Sequence, residues 1–448
     1  MSERSLTGLR LDGTLYTDPH DTAYAATDFG GIVTHQPLAV VRAGSPRDVS
    51  AVLDLAASHG IPVTPRGQGH TSMGQAQVRA GIVIDLSDLK AVHDINCDRV
   101  VVNAGITWAE LLATTLQHGL TPPVLTDYLG TSVGGTLSVG GIGGTSHRYG
   151  VQTDNALSLD VVTGDGVLRT CSPTESPDLF NAVLAGFGQC GVIVRATIPL
   201  IPAPARARRL KIYYPTLTEL FTQQRKLLRE QRFDFLQGQV LPNGDGWHYM
   251  LDVATFYTPP NEPDDNALAD GIGYDPDRDK TEDLTYWEFA TRLDDTVTYL
   301  ETTGEWHTPH PWPNLFLPDD VTNTFVGDIM NCLTHADLGA SGLILTYPIP
   351  TDVLTTPLFR IPDAPTIFLV AALRFAPTAA IANDMVRSNR NWYDTAVKVG
   401  GTTYPVGAIP FTGADWQHQL GNAITPLTDA RNRYDPHGVL NPCFGQAH

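Results

Sequence analysis

The chain has 448 residues, 42% of them apolar and 17% charged, and 29 basic against 48 acidic side chains give a formal net charge of −19. That is the composition of a folded protein too long for one ordinary core, so two or three domains are expected. So strong an acidic excess repels phosphate backbones and anionic lipid, which excludes nucleic acid and membrane surfaces as expected partners.

The opening residues, "MSERSLTGLRLDGTLY", hold no basic segment followed by an apolar core and a cleavage site, so a cytoplasmic protein without a secretory leader is expected. "LAVVRA" (38–43) reads as a buried strand, and Ser45-Pro46 then caps and starts a helix that runs to about Ser58 and closes at Gly60. "IPVT" (61–64) is a strand ending at Pro65, so the glycine-rich "RGQGHTSMGQAQ" begins at a strand end, and "GIVIDL" (81–86) is the next strand. Thr107 with Glu110 is a capping-box signature for a helix to about His118. "LSLDVVT" (157–163) and "VLRTC" (167–171) form a hairpin turned at Gly164-Asp165-Gly166, Ser176-Pro177 starts another helix, and "GVIVRATIPL" closes the region near Pro202. Strands and helices mix without a strict βαβ repeat, which predicts an α+β domain rather than a doubly wound one.

After Pro204 the texture changes to a basic strand, "ARARRLKIYY", a helix over about 217–230, and an acidic stretch at 260–283 that reads as a surface loop. "TIFLVAALRFA" is cut by Arg374 and is far shorter than the roughly 20 residues a spanning helix needs. The terminal "RNRYDPHGVLNPCFGQAH" reads as a pinned segment. The expected domains are 33–203 with an N-terminal segment 1–32, 204–403, and a C-terminal segment 404–448. The five cysteines are odd in number and scattered, which argues against a disulfide framework and a thiolate metal site. His307 and His310 have ligand-like spacing but no acidic or thiolate cluster beside them, so no metal is expected.

Three glycine-rich patterns compete as signatures. "GTSVG" (130–134) fits the serine-hydrolase pattern around Ser132, but the glycine-heavy run after it is poor helix material, and that motif needs a strand before and a helix after the serine. "GGIGG" lacks the strand-to-helix context of a dinucleotide fingerprint. The third places His70 among Gly67, Gly69 and Gly74. It reads either as a solvated turn histidine or, taken with the second glycine loop at 130–144, as part of a cradle whose backbone N–H groups hold a diphosphate. Asp127, at the start of the second loop, is either a turn aspartate or a carboxylate able to take a proton from a substrate while hydride leaves the adjacent carbon.

At these residues the sequence resembles the cytokinin dehydrogenases, covalent-flavin oxidoreductases with a vanillyl-alcohol-oxidase (PCMH)-type FAD domain. "RGQGHTSMGQAQ", "TDYLGTSVGGTLSVGGIGG", "HRYGVQTDNALSLDVVTGDG", "FGQCGVIVRATIPL", "PHPWPNLFLP" and "YDPHGVLNPCFGQ" resemble family segments in the family's order across nearly the whole chain. The resemblance implies a two-domain α+β fold, with a PCMH-type FAD domain and a substrate domain built on an antiparallel sheet flanked by helices. It implies an 8α-histidyl bond from His70 to FAD, with Gly67, Gly69, Thr71 and Gln75 lining the same loop. Ser132, Ser138 and Ile142 match flavin-contacting positions of the second loop, Ile193 one on the closing strand, and Tyr404, Asn441 and Gln446 positions near the ring. Asp127 matches the catalytic aspartate, and Asp252 is aligned with a pocket carboxylate that partners it. Trp312 and Asn314 in "PHPWPN" fall in the substrate pocket.

The activity so implied is oxidation of an N6-alkenyl adenine at its C–N bond, yielding adenine and an aldehyde, with dioxygen or a quinone-like molecule reoxidising the flavin. The alternatives are a related covalent-FAD oxidase of another small amine or alcohol, a serine hydrolase using Ser132, and a flavin-binding protein without turnover.

Overall fold

The structure, a computed structural model, describes residues 8–441. Its first sheet has the order β1-β2-β4-β3, from Thr14–Tyr16 (β1), Ala39–Arg42 (β2), Val63–Arg66 (β3) and Ile82–Asp85 (β4), with β2 and β3 both parallel to β4. The helix Pro46–His59 makes the crossover from β2 to β3. Val49, Val52, Leu53 and Ala56 recur at helical spacing and are buried, and the helix ends where Gly60 takes φ +64° and returns its N–H to Ala56. Each of the valine and leucine side chains contributes about 1.5–3 kcal/mol on burial. Ser45 stands at the N-cap without capping, because its hydroxyl donates to Asp12 instead (2.7 Å).

Val92–Ile95 (β5), Arg99–Asn103 (β6), Ser158–Thr163 (β7), Leu168–Cys171 (β8) and Gly191–Pro199 (β9) make a second, antiparallel sheet in the order β5-β6-β9-β7-β8. The expected capping box is present: Thr107 Oγ1 accepts from Glu110 N (3.2 Å) and Glu110 Oε2 from Thr107 N (2.9 Å), and the helix Trp108–Leu116 buries Trp108, Leu111 and Leu112. Val162, Val192 and Val194 of this sheet share a core with the helix Pro46–His59, which joins the two sheets into one body.

The third sheet has eight strands, with every neighbouring pair antiparallel. They are Arg206–Tyr214 (β10), Phe235–Asn243 (β11), Gly246–Tyr257 (β12), Lys280–Thr285 (β13), Asn314–Pro318 (β14), Leu343–Pro350 (β15), Thr366–Leu373 (β16) and Thr402–Thr403 (β17). Period-two alternation sorts their side chains. Phe368, Val370 and Ala372 of β16 pack with Phe221, Phe325 and Tyr393 of the helices Leu217–Glu230, Asp319–Cys332 and Ala379–Lys398 on one face. Leu369, Ala371 and Leu373 point to the other face, which floors a cavity. The fold is thus α+β, with an antiparallel sheet flanked by helices beside the four- and five-stranded sheets and a two-stranded pairing of Leu120–Thr121 with Ile201–Pro202.

Two local expectations are corrected. The acidic stretch 260–283 is not all loop: it holds the short helix Asp265–Ala269 and runs into edge strand β13, because Glu282 and Asp283 meet the basic alternation of β10, with Arg206 Nε 2.8 Å from Asp283 and Lys211 Nζ 3.1 Å from Glu282. The glycine-rich run after Ser132 does form a short helix, Val133–Leu137, held by bonds such as Thr136 N to Ser132 O (3.0 Å). The terminal segment is pinned as far as Asn441, its last described residue. Val63 N donates to Val439 O (2.7 Å) and Asn441 N to Val63 O (2.8 Å), so it lies against the strand that leads into the His70 loop. Cys443 and Gln446 lie outside the described residues. Among the described residues no helix is long and apolar enough to cross a membrane.

Candidate active site

The glycine loops and the inner face of the eight-stranded sheet enclose a cavity of about 660 Å³. Gly67, Gly69, His70, Thr71 and Gln75 line it from the loop after β3, and Asp127, Ser132, Ser138 and Ile142 from the second loop. Ile193, Tyr404, Asn441, Trp312 and Asn314 complete the set of expected residues that it brings together. Asp252 is not among the lining residues.

The loop after β3 is shaped by contacts that only glycine permits. A Cβ on Gly67 would stand 2.1 Å from Ser132 Oγ, and Gly69 has φ +65° with the Arg66 guanidinium where its Cβ would be. The main-chain N–H groups of Gly67, Gln68, Gly69, His70 and Thr71 donate to no acceptor among the described residues. Such a run of free N–H groups makes a cradle for an anion. Opposite it, Ser132 Oγ and Asn441 Oδ1 are buried without a hydrogen-bond partner among the described residues, although an unpaired buried polar atom is costly. A polar ligand reaching from the cradle into the cavity would satisfy both, so these residues fit a dinucleotide.

Several expected contacts serve the scaffold instead. Gln75 Nε2 donates to the carbonyls of Pro405 and Gly407 (both 3.1 Å), Thr71 Oγ1 donates to Asp28 (2.9 Å), Ser138 Oγ donates to Gly134 O (2.7 Å), and Tyr404 OH accepts from Gly141 N (3.1 Å).

His70 is packed between rings. Phe29 stacks on one face with centroids 4.0 Å apart, Tyr128 on the other at 4.8 Å, and the far face of Phe29 carries His310, also at 4.0 Å. Trp312 meets His70 edge-on at 6.3 Å. Burial, with His310 nearby, pushes the His70 imidazole down to about 3, so the ring is neutral at ordinary pH. Its nitrogens make no hydrogen bond among the described residues.

Asp127 sits where three donors converge. Its Oδ2 accepts from Gln237 Nε2 (2.6 Å) and from the Tyr347 hydroxyl, and its Oδ1 pairs with the Arg292 guanidinium. Burial and the neighbouring Asp127 raise the Tyr347 hydroxyl well above the usual phenol range, so it remains a proton donor in the bond. Every contact of the carboxylate is thus with a donor, and Asp127 serves as an acceptor on the cavity wall. This is more than a turn aspartate, whose bonds would go to its own backbone.

The expected pairing of Asp127 with Asp252 is corrected. Asp252 is fully buried, and both its oxygens are taken by Arg209, at 2.8 Å from Nε and 2.6 Å from Nη2. Arg209 also reaches Glu282 (3.2 Å), which pairs with Lys211. Asp252 does face Gln237 across the β11–β12 ladder, so the residue beside Asp127 on that sheet is the amide and not the carboxylate. Sequence reasoning missed Gln237, Arg292 and Tyr347; the first and last stand at inward positions of β11 and β15, where a polar residue is a weak signal, while Arg292 lies in the turn between the helices Tyr286–Ala290 and Asp294–Thr303 and carried none. The serine-hydrolase reading finds no base among the described residues, where Ser132 Oγ has no partner.

Residues 37–172 match the family model described as an FAD binding domain, and residues 243–447 the one described as "Cytokinin dehydrogenase 1, FAD and cytokinin binding". The chain is 41% identical to a protein of Rhodococcoides fascians named as an uncharacterized oxidoreductase of the fasciation locus, over 97% of this chain and 99% of that one. It is 33% identical to cytokinin dehydrogenase 10 of Oryza sativa subsp. japonica, over 99% of this chain and 90% of that one. It is 31% identical to cytokinin dehydrogenase 2 of Arabidopsis thaliana, over 99% and 96%.

Proposed function

The chain belongs to the cytokinin dehydrogenase family of FAD-dependent oxidoreductases, and on that premise we propose that it removes the N6-isoprenoid side chain of cytokinins, leaving adenine and an aldehyde. We further propose that FAD is joined to His70 through its 8α carbon and that dioxygen or a quinone-like molecule takes the electrons. Residues 33–203 would hold the cofactor, 204–403 the substrate, and 404–448 would return to the flavin site.

The observation that carries the reading is the donor-held carboxylate of Asp127 in the same cavity as His70 and the free N–H groups of its loop. Bound FAD supplies the hydride acceptor. Asp127 takes the proton from the substrate's side-chain nitrogen as its C–N bond is oxidised, and Arg292, Tyr347 and Gln237 fix the direction of its lone pairs. Leu345, Leu369 and Leu373 give the isoprenoid chain an apolar floor and keep water from the reacting carbon, while Trp312 offers a flat face to a planar ring. Gln237, Gln239 and the paired charges of Arg209 and Lys211 supply polar contacts on the neighbouring strands.

The test is anaerobic mixing of the holoenzyme with isopentenyladenine. Bleaching of the flavin, with adenine and the aldehyde recovered after hydrolysis, is the expected result. Bleaching by another amine or alcohol alone would leave the second reading, a related oxidase with a different donor, which the polar wall of Gln239 and Lys211 also suits.

A further inference from the structure

We propose that the N-terminal strap 27–31 is the positioning element for flavin attachment, with Phe29 setting the plane of the His70 imidazole and Asp28 fixing the loop beside it. This rests on the reading that FAD is joined to His70.

The strap is bonded to the backbone on both sides of the histidine. Phe29 N donates to Gly69 O (2.8 Å) and Gly30 N to Thr71 O (2.9 Å), so the two bonds straddle His70. The buried Asp28 carboxylate adds a second pair on one oxygen, accepting from Thr71 Oγ1 (2.9 Å) and Gly74 N (2.7 Å). Gly30 permits the approach, because a Cβ there would lie 2.2 Å from Ser72 O. Behind the strap, His310 N donates to Gly30 O (2.8 Å), and its Nδ1 lies 2.9 Å from Phe29 O. The segment is therefore held between the flavin loop and the "PHPWPN" turn.

The rings extend the same arrangement. His310, Phe29, His70 and Tyr128 stack in sequence with centroid spacings of 4.0, 4.0 and 4.8 Å. With both faces of His70 covered, approach is left only at the ring edge, where the nitrogens make no hydrogen bond among the described residues. A neutral imidazole held edge-on has an uncommitted lone pair, as nucleophilic attachment needs. Attachment forms one bond, from an imidazole nitrogen to the flavin 8α carbon. One 8α C–H and the imidazole N–H are broken, and the two electrons and two protons released pass to the flavin and then to dioxygen as the two-electron acceptor. The strap contributes orientation, which governs such a step strongly.

The test compares purified holoenzymes of wild type, Phe29→Leu, Phe29→Met and Phe29→Tyr. Three quantities are read: total flavin in the native protein, the share that stays with acid-precipitated protein, and the flavin mass on the His70 peptide. Phe29→Leu and Phe29→Met are expected to keep total flavin while the acid-stable share drops about tenfold or more, the scale on which lost alignment acts. Phe29→Tyr, which restores the ring, should restore the acid-stable share. Wild-type acid-stable flavin in both aliphatic variants would overturn the proposal. So would loss of all flavin from both, since that marks a structural role. Release of all flavin from the wild type itself would instead overturn the attachment reading, an outcome visible without any variant.

Discussion

Arg292 reaches Asp127 from a guanidinium packed against the rings of Phe235 and Phe289, whose centroids lie 4.6 and 4.8 Å from its central carbon. The aromatic packing removes the arginine's own freedom, so the direction of its N–H groups, and of the carboxylate they hold, is settled before substrate arrives. Side-chain exposure is 8% for Arg292 and 16% for Asp127, so solvent screens the pair little.

Removing the cation should therefore cost stability and slow flavin reduction together. Arg292→Ala leaves a mostly buried carboxylate without its partner, a change that costs about 3–5 kcal/mol when the charge is retained. The expected result is a lower melting temperature and slower anaerobic flavin reduction, because the carboxylate loses the donor that fixes its direction. Arg292→Lys should recover part of the charge effect but not the two-ring packing. Flavin reduction at the wild-type rate in Arg292→Ala would show that the pair does not bear on proton transfer.

Asp127→Asn preserves shape and can still accept from Gln237 and Tyr347, but it removes the proton acceptor. Loss of a general base lowers rates by about 10²–10⁴-fold. Anaerobic flavin reduction by the same substrate should slow by that amount, while flavin content stays near wild type. A variant that reduces its flavin at the wild-type rate would take Asp127 out of the chemistry.

A pH dependence of stability follows from His310. The ring is fully buried, and burial pushes its titration from the ordinary 6.5 down to about 4. The unfolded chain takes a proton on falling below about pH 6.5 and the folded chain does not, so stability is lost as pH drops through this window, by up to about 1.4 kcal/mol per pH unit. Asp28 acts with the opposite sign. Burial raises it from 3.8 to about 6, so the folded state binds the extra proton between those values and gains stability as pH falls. Comparing wild type with His310→Gln cancels the Asp28 contribution. Denaturant unfolding at pH 7 and pH 5 should show the wild type losing more stability between the two than the variant; equal losses would mean that His310 is protonated in the fold.

The local parts of this site were legible in the sequence and the long-range parts were not. The strand ending at Pro65, the glycine loop with His70 and the capping box at Thr107 rest on contacts between near neighbours in the chain. The environment of Asp127 is assembled from Gln237, Arg292 and Tyr347, which lie 110, 165 and 220 residues away. No local pattern sets that convergence, which follows from strand order and register. Asp252 shows the same limit: alternation puts it opposite Gln237, but β10 lies on its other side and supplies Arg209, which captures the carboxylate. Phe29 was likewise invisible as a site residue, since nothing in "ATDFGG" announces a ring laid on a histidine 41 positions further on.

Ser132 separates a cofactor contact from a catalytic serine by the sign of two effects. Ser132 is 1% exposed and its hydroxyl has no partner among the described residues, an arrangement that costs the apoprotein roughly 1–3 kcal/mol. Ser132→Ala removes the group and leaves little empty space, so the apoprotein should melt at the same temperature or higher. Flavin affinity should move the other way, because the lost hydroxyl is one that a bound flavin would satisfy. The comparison is made in a His70→Ala background, where any flavin is held reversibly, by titrating FAD into the single and double variants. Weaker FAD binding together with an undiminished apoprotein melting temperature is the expected pair of results. Unchanged FAD affinity would place Ser132 away from the cofactor, and a lower apoprotein melting temperature would show that its hydroxyl already has a partner in the fold.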